Sequence, residues 1–252
     1  MTDINELESN DILTETADII QPVETLPIEP LPESASAIQI VDALLKSPES
    51  VTNRIKAGQF KKTFVILLGI FIVCHIIYGL IAGSYSGNWF SSPIKIVGGA
   101  TLSVLLCYPS FYIFSCLSGA NITPSQAFTL LIGGLALTSI LLLGFAPVAF
   151  IFTFSIKTIS FMGLIHLLIW AVSIYFGLRY IKSGLINMDI RKNDNFIAIW
   201  SIILVITMLQ MTTTLRPIIG EADMLLTSEK LFFMEHWLNN FSTSNSPEWK
   251  FN

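Results

Sequence analysis

Two histidines, His75 and His166, lie in long apolar stretches of the sequence and are the first candidates for chemistry. A pair of imidazoles that face each other in an apolar bundle could bind a metal ion or relay protons. A metal site uses three or four ligands, however, and no Asp or Glu occurs between Glu49 and Asp189. We therefore expect both histidines to form hydrogen bonds between helices, and we predict no metal, no cofactor and no catalytic residue.

Known catalytic motifs are also missing from the sequence. It contains no Gly-x-Ser-x-Gly, no His-Glu-x-x-His and no glycine-rich phosphate loop with a lysine. The lack of carboxylates in the apolar region argues against acid/base catalysis and proton-coupled transport there. We predict that the chain is not an enzyme.

The stretch that ends at Gly220 carries the most distinctive polar and turn-forming residues. Gln210 lies near the end of an apolar run, Arg216 follows it, Pro217 stops a helix and Gly220 permits a turn. Arg216 could anchor the helix end at the headgroup phosphates. Alternatively, Gln210, Arg216, Pro217 and Gly220 could form a partner or ligand site, because a charged fork beside a rigid proline suits a fixed contact. We favour anchoring.

Gly79 and Gly83 form a Gly-x-x-x-Gly pair, the spacing that lets two helix backbones approach closely. The pair suits packing within one bundle or association of two copies of the chain. We favour packing within the bundle, and a homo-oligomer is the alternative.

Two isolated lysines, Lys95 and Lys157, stand near the ends of apolar runs. Lysine at such a position commonly extends its ammonium group to the membrane interface. We expect this role for both residues; ligand binding is the alternative for Lys95.

The composition indicates what kind of fold must hold these residues. The chain has 252 residues, of which 52% are hydrophobic and only 13% are charged, about half the usual charged share. Between Thr63 and Leu178 the only charged residues are Lys95 and Lys157, a pattern that water-soluble folds do not sustain. We predict an all-α, polytopic transmembrane helix bundle and no binding of nucleic acid.

Five apolar runs are long enough to cross a membrane, since about 20 residues span roughly 30 Å of hydrocarbon. We place these spans at residues 63–82, 94–117, 126–147, 159–180 and 196–215. Together they predict a five-span bundle over residues 63–215.

The end of the third run allows two interpretations, because Gly144 and Pro147 lie close together in Gly-Phe-Ala-Pro. Either the helix is long and kinked, or it ends near Gly144 and residues 145–157 form an aromatic-rich loop at the interface. We favour the loop, because glycine weakens a helix, proline breaks one, and irregular backbone is tolerated at the interface.

The segments that flank the predicted bundle are polar or amphipathic. Residues 1–35 are acidic and proline-rich, which predicts a disordered tail. Residues 36–62 are predicted to form amphipathic juxtamembrane helices whose bases, Arg54 and Lys56, point toward lipid headgroups. Residues 216–252 are predicted to form a short amphipathic extramembrane segment.

The distribution of Lys and Arg predicts the orientation of the chain. Eight bases fall on one side of the five spans: Arg54, Lys56, Lys61, Lys62, Arg179, Lys182, Arg191 and Lys192. Three fall on the other side: Lys95, Lys157 and Arg216. We therefore expect a cytoplasmic N-terminus and a C-terminus across the membrane.

Four short motifs at the ends of the predicted spans match the pattern of a known family. They are Leu45 to Pro48 before the first span, Pro93 with Lys95 at the second, Phe145-Ala146-Pro147 at the third, and Leu215-Arg216-Pro217-Ile218-Ile219-Gly220 after the fifth. The five-span layout with the N-terminus inside, Asn88–Lys95 before the second span and Gly119–Phe128 at the third resemble the Yip family of small multi-pass membrane proteins. In the four motifs the chain is most similar to an uncharacterised bacterial group with Leu-Arg-Pro-x-x-Gly after the last span. Thr213 stands where that group often has a tryptophan.

The resemblance implies a function in binding partners at a membrane, because eukaryotic Yip proteins bind Rab-type GTPases and shape trafficking membranes. We expect an integral membrane scaffold or partner-binding subunit without catalytic activity, embedded in the lipid bilayer beside other membrane proteins. A permease-like component of a transport complex is the alternative. The expected location is the bacterial cytoplasmic (inner) membrane.

Overall fold

A computed structural model of the protein describes residues 31–32, 34–84, 90–155, 159–190 and 195–214. Over these ranges the chain is all-helical, with two short helices followed by five long ones. The helices are α1 (Ala37–Lys46), α2 (Pro48–Lys56), α3 (Phe60–Ser84), α4 (Ser91–Leu117), α5 (Pro124–Ser155), α6 (Ile159–Asn187) and α7 (Asn195–Thr214). The predicted all-α fold class is confirmed.

The five long helices, α3 to α7, are each long and apolar enough to cross a membrane. Each coincides with one of the five predicted spans, so the prediction of a multi-pass membrane protein is confirmed. All five helices extend past a predicted bound, from one residue at the start of α7 to eight at the end of α5. Most of the shorter extensions arise because a span is counted from its apolar residues, whereas a helix continues into its flanks.

The favoured prediction for the third span is wrong, because α5 continues as a helix through Pro147 to Ser155. Hydrocarbon offers no water to bond with free backbone groups, so unwinding a helix there costs more than the one bond that proline removes. Packing also favours the helix: Ala146 and Ala149 are buried in a cluster with Tyr78 and Ile96. Residues 145–155 are therefore helical rather than a loop.

The bundle has two ends, which we name by the short helices. The near end is where α1 and α2 pack and where α3 and α5 begin; the far end is the opposite one. Helix α3 packs mainly against α5 and α4, α5 against α6, and α4 against α7. A large core fills the interior, with Phe71, Phe111 and Trp200 among its most deeply buried side chains.

Two of the predicted flanking regions lie mostly outside the described residues. The structure describes only Leu31, Pro32, Ser34 and Ala35 of the predicted tail 1–35, and none of the predicted C-terminal segment 216–252. Leu31 packs against the core and Ala35 is buried, so these residues of the range predicted as a disordered tail are packed.

Candidate functional site

The two predicted histidines have separate partners in the far half of the bundle. His166 of α6 shares a hydrogen bond of 2.7 Å between its Nδ1 and the hydroxyl of Tyr78 of α3. His75 instead donates from Nδ1 to the carbonyl of Phe71 in its own helix, at 3.2 Å. Its ring lies edge-on to Trp170 of α6, with centroids 6.2 Å apart. Among the described residues, His166 therefore makes the hydrogen bond between helices that was expected of both histidines, and His75 does not.

The bond between Tyr78 and His166 joins two helices in the interior of the bundle. Both side chains are buried, and the second ring nitrogen of His166, Nε2, has no hydrogen-bond partner among the described residues. No group of three or more His, Cys, Asp or Glu side chains that could hold a metal occurs in the described part of the chain. The pair can hold α3 and α6 in register, as buried polar side chains commonly do in membranes.

Gly79 is a point at which α3 and α4 approach closely. A Cβ atom added at Gly79 would lie 2.6 Å from the Cα of Pro93, which is closer than atoms can pack. Gly83 is also buried, one turn further along α3. Helix α4 of the same chain thus packs directly against Gly79.

A second close contact, between α5 and α6, was not singled out from the sequence. A Cβ atom at Gly177 would lie 2.2 Å from the Thr138 hydroxyl and 2.9 Å from the Gly134 carbonyl. The Thr138 hydroxyl donates to the carbonyl of Gly134 at 2.9 Å and lies 3.4 Å from that of Ser173 across the interface. A sequence signal existed, because Gly134 with Thr138 and Ser173 with Gly177 are small residues four apart.

The residues predicted as a partner or anchoring site lie partly inside and partly outside the described part of the chain. Gln210 lies half-buried in the last part of α7. Arg216, Pro217 and Gly220 lie outside the described residues, and so does Lys157. The described part of the chain therefore places one of the four site residues.

Lys95 lies inside the bundle, so the prediction that it extends to the interface is wrong. Its side chain is 2% exposed, because α6 and α7 pack beside this part of α4 and cover it. It lines a crevice of about 20 Å³, which has room for roughly one water molecule. The other walls come from α4, α6 and α7 and include Gly99, Ser103, Trp170, Met208, Met211 and Thr212.

At the near end, Arg54 fixes α2 to the rest of the chain. Its side chain is 5% exposed and donates from Nε to the hydroxyl of Thr63 at 2.9 Å. Its Nη1 donates to the carbonyl of Pro32. The prediction that Arg54 points toward lipid headgroups is therefore wrong, because its planar fork binds polar groups on two other segments of the protein.

The other base of α2, Lys56, binds the end of α6. Its Nζ donates to the carbonyl of Asn187 at 2.6 Å and lies 3.5 Å from a carboxylate oxygen of Asp189. The Asn187 side chain donates to the hydroxyl of Thr52 at 3.1 Å. Lys56 thus has partners within its own chain, and a contact with headgroups stays a prediction for it, because its side chain is 45% exposed.

A third contact joins α2 to the start of α5. The Gln126 side chain donates from Nε2 to the carbonyl of Ile55 at 3.1 Å. Val51 and Ile55 are fully buried beneath these polar contacts. We refer to residues 31–56, which comprise α1, α2 and the packed segment before them, as the platform.

The outer side of the platform combines apolar and charged groups. Ile38 is 80% exposed and Leu45 is 51% exposed, although both belong to α1. Asp42 and Lys46, on the same helix, form an ion pair of 2.7 Å. Helix α1 thus buries one apolar face, with Ile40 and its neighbours, and presents a second, mixed one.

Comparisons of the chain with models of protein families, with characterised proteins and with solved structures gave no match.

Proposed function

We propose that this protein is an integral membrane scaffold, a subunit that binds protein partners and has no catalytic activity of its own. The observation that carries the proposal is the attachment of the platform to the bundle. Arg54, Lys56 and Gln126 connect α2 to the start of α3 and to two segments that lie far away in the sequence, the end of α6 and the start of α5. A surface held in this way loses little conformational entropy when a partner binds to it.

The use of polar groups inside the bundle supports the same proposal. The Tyr78 hydroxyl is bonded to His166, and Trp200 donates from Nε1 to the carbonyl of Cys107 at 3.1 Å. Thr138 bonds within α5 and reaches α6. These groups join helices, which is the ordinary use of polar side chains in membrane proteins. The resemblance to the Yip family, which stays a prediction, points to partner binding as well.

We also propose that the near end faces the cytoplasm, in a bacterial inner membrane. Six bases near this end have exposed side chains: Lys46, Lys56, Lys61, Lys62, Arg179 and Lys182. The base described at the far end, Lys95, is buried. An excess of exposed Lys and Arg is typical of the cytoplasmic side.

The alternative function is that of a permease-like subunit of a transport complex. The crevice at Lys95 favours this alternative, because it places a lysine between three helices at the far end of the bundle. Sites between helices are where transporters bind substrates. The crevice is small, however, with room for roughly one water molecule, which is why scaffolding is preferred.

The test is to identify the proteins that co-purify with the full chain in mild detergent. We expect GTPase or assembly partners that are lost when Ile38 and Leu45 are both changed to Ser on the platform. The matched control is Phe90→Ser, which also removes an exposed apolar side chain but at the far end. Partners retained by the platform variant, or a stable ATPase partner, would contradict scaffolding and favour transport.

A further inference from the structure

We infer that the outer face of α6 carries a binding site for the headgroup of an anionic phospholipid, formed by Arg179 and Lys182. The two residues are three positions apart on the helix and both are exposed. Their Cα atoms therefore differ by about 4.5 Å along the axis and lie on the same side. Neither side chain has a hydrogen bond or an ion pair with another part of the protein, as far as the structure describes the chain.

The depth of these bases in the membrane follows from the exposed residues before them. Phe161, Leu168, Val172 and Tyr175 are each 44% exposed or more on α6. From Phe161 to Arg179 the helix rises about 27 Å, close to the roughly 30 Å of a hydrocarbon core. When this apolar length is buried in lipid, the two bases lie at the level of the headgroups.

Aromatic rings directly precede the bases. Tyr175 lies one turn before Arg179 and is 61% exposed, and its ring stands edge-on to Phe176 with centroids 5.5 Å apart. Aromatic rings at this position are typical of the interface between hydrocarbon and headgroups. The face is continuous with the apolar surface that contacts acyl chains, which favours a lipid over a protein as its occupant.

The rotation of α6 is fixed, so the bases cannot turn inward. The opposite face of the helix is packed against α5 through Gly177, and Ser173 and Tyr180 on that face are buried. Helix α6 then continues past Lys182 to Asn187, where the platform is bound. The platform thus lies on the water side of the two bases, which agrees with the depth inferred from the apolar length.

The charges of the site select among lipids. A guanidinium binds two phosphate oxygens through its planar fork, and the lysine beside it adds a second positive charge. Zwitterionic lipids carry a cationic group that opposes this arrangement, whereas phosphatidylglycerol has a net negative charge. The site should therefore prefer an anionic phospholipid over a zwitterionic one with identical chains.

The experiment is native mass spectrometry of the purified full-length protein with equal amounts of phosphatidylglycerol and phosphatidylcholine of the same chains. We expect wild type to retain phosphatidylglycerol preferentially. The double variant Arg179→Gln with Lys182→Gln should bind phosphatidylglycerol with roughly 30-fold lower apparent affinity, because each base contributes about 1 kcal/mol. The matched control is Lys46→Gln, which removes one charge at an ion-paired lysine. The exchange Arg179→Lys with Lys182→Arg should retain most of the binding.

Several results would overturn the inference. They are equal retention of both lipids by wild type, unchanged retention by the double Gln variant, and an equal loss in Lys46→Gln. Binding that appears only after deletion of residues 1–30, which contain eight acids and no bases, would also overturn it, because the tail would then occupy the bases. If the double variant has a lower thermal midpoint than wild type, the single variant Arg179→Gln tests the inference instead. Its apparent affinity for phosphatidylglycerol should be roughly fivefold lower than that of wild type.

Discussion

At the scale of single residues, the bond between Tyr78 and His166 is the side-chain hydrogen bond that joins α3 to α6 in the described structure. We expect Tyr78→Phe to lower the free energy of unfolding in detergent by about 0.6 to 1.7 kcal/mol, the range for such bonds in membranes. Both ring nitrogens of His166 would then lack a hydrogen-bond partner in the region that the structure describes. Denaturant titration of the purified protein measures the change.

The control for this change is Tyr175→Phe, which removes a hydroxyl from an exposed tyrosine of α6. It should leave the free energy of unfolding unchanged. A double-mutant cycle with His166→Leu isolates the pair, because the coupling energy vanishes if the two side chains do not interact. Equal stabilities of the two Tyr→Phe variants would contradict the packing described here.

Two glycines of α3 provide a matched test of helix packing. A Cβ at Gly79 meets the backbone of Pro93 at 2.6 Å, whereas a Cβ at Gly69 meets nothing within 4 Å. We expect Gly79→Ala to force α3 and α4 apart and to reduce the yield of folded protein. Gly69→Ala should be neutral or stabilising by up to about 1 kcal/mol, because alanine has the higher helix propensity. Thermal unfolding followed by size-exclusion chromatography compares the two, and an equal effect would refute the close approach.

The anchoring role of Arg216 stays a prediction from the sequence, because the residue lies outside the described part of the chain. If it anchors the last span, Arg216→Lys should serve almost as well as arginine, because both side chains reach the headgroups and both are charged. Arg216→Ala should lower the membrane yield. Normal yield with loss of co-purifying proteins in both variants would instead identify residues 210–220 as a partner site, because only the planar fork of arginine makes a bidentate contact.

At the scale of elements, the platform determines how much of the N-terminus can be removed. Deleting residues 2–30 should leave insertion and folding unchanged, because the segment is acidic and proline-rich. Deleting residues 2–35 should destabilise the near end, because it removes the Pro32 carbonyl that accepts from Arg54 and the buried Ala35. Membrane yield and thermal midpoint of the two truncations test this. A loss of stability already on deletion of 2–30 would place a folded or chaperoning element in the tail.

The elements that sequence reasoning missed share one cause, which is that tertiary contacts override local preference. Gly144 and Pro147 locally favour a helix end, yet α5 continues because it lies where free backbone groups have no water to bond. The local sequence around Arg54 predicts a contact with headgroups, yet the partners of its side chain, Pro32 and Thr63, lie on other segments of the chain. A single sequence carries no signal for such partners, because they are brought together only by the fold.

At the scale of the whole molecule, the apolar runs predicted the number and type of helices. Only two charged residues occur between Thr63 and Leu178, and this region folds into apolar helices in the described structure. The partner of each helix was not predictable, because uniformly apolar helices give no face that indicates a neighbour. At Gly79 and Gly177 the missing side chain lets two helix backbones approach closely, which favours the pairing of α3 with α4 and of α6 with α5 at these points.

The proposed orientation of the chain rests on the exposed bases at the near end. With five spans, the termini must lie on opposite sides of the membrane. Single cysteines at Ser9 and Ser246, in a background that lacks Cys74, Cys107 and Cys116, provide sites for a membrane-impermeant maleimide. A cysteine at the exposed Asn53 of the platform reports the side of the near end.

Labelling of these cysteines in intact and inverted vesicles is the most direct test of the five-span account. We predict that Ser9→Cys and Asn53→Cys react from the cytoplasmic side and Ser246→Cys from the opposite side. Reaction of Ser9→Cys and Ser246→Cys from the same side would require an even number of spans and would contradict the account.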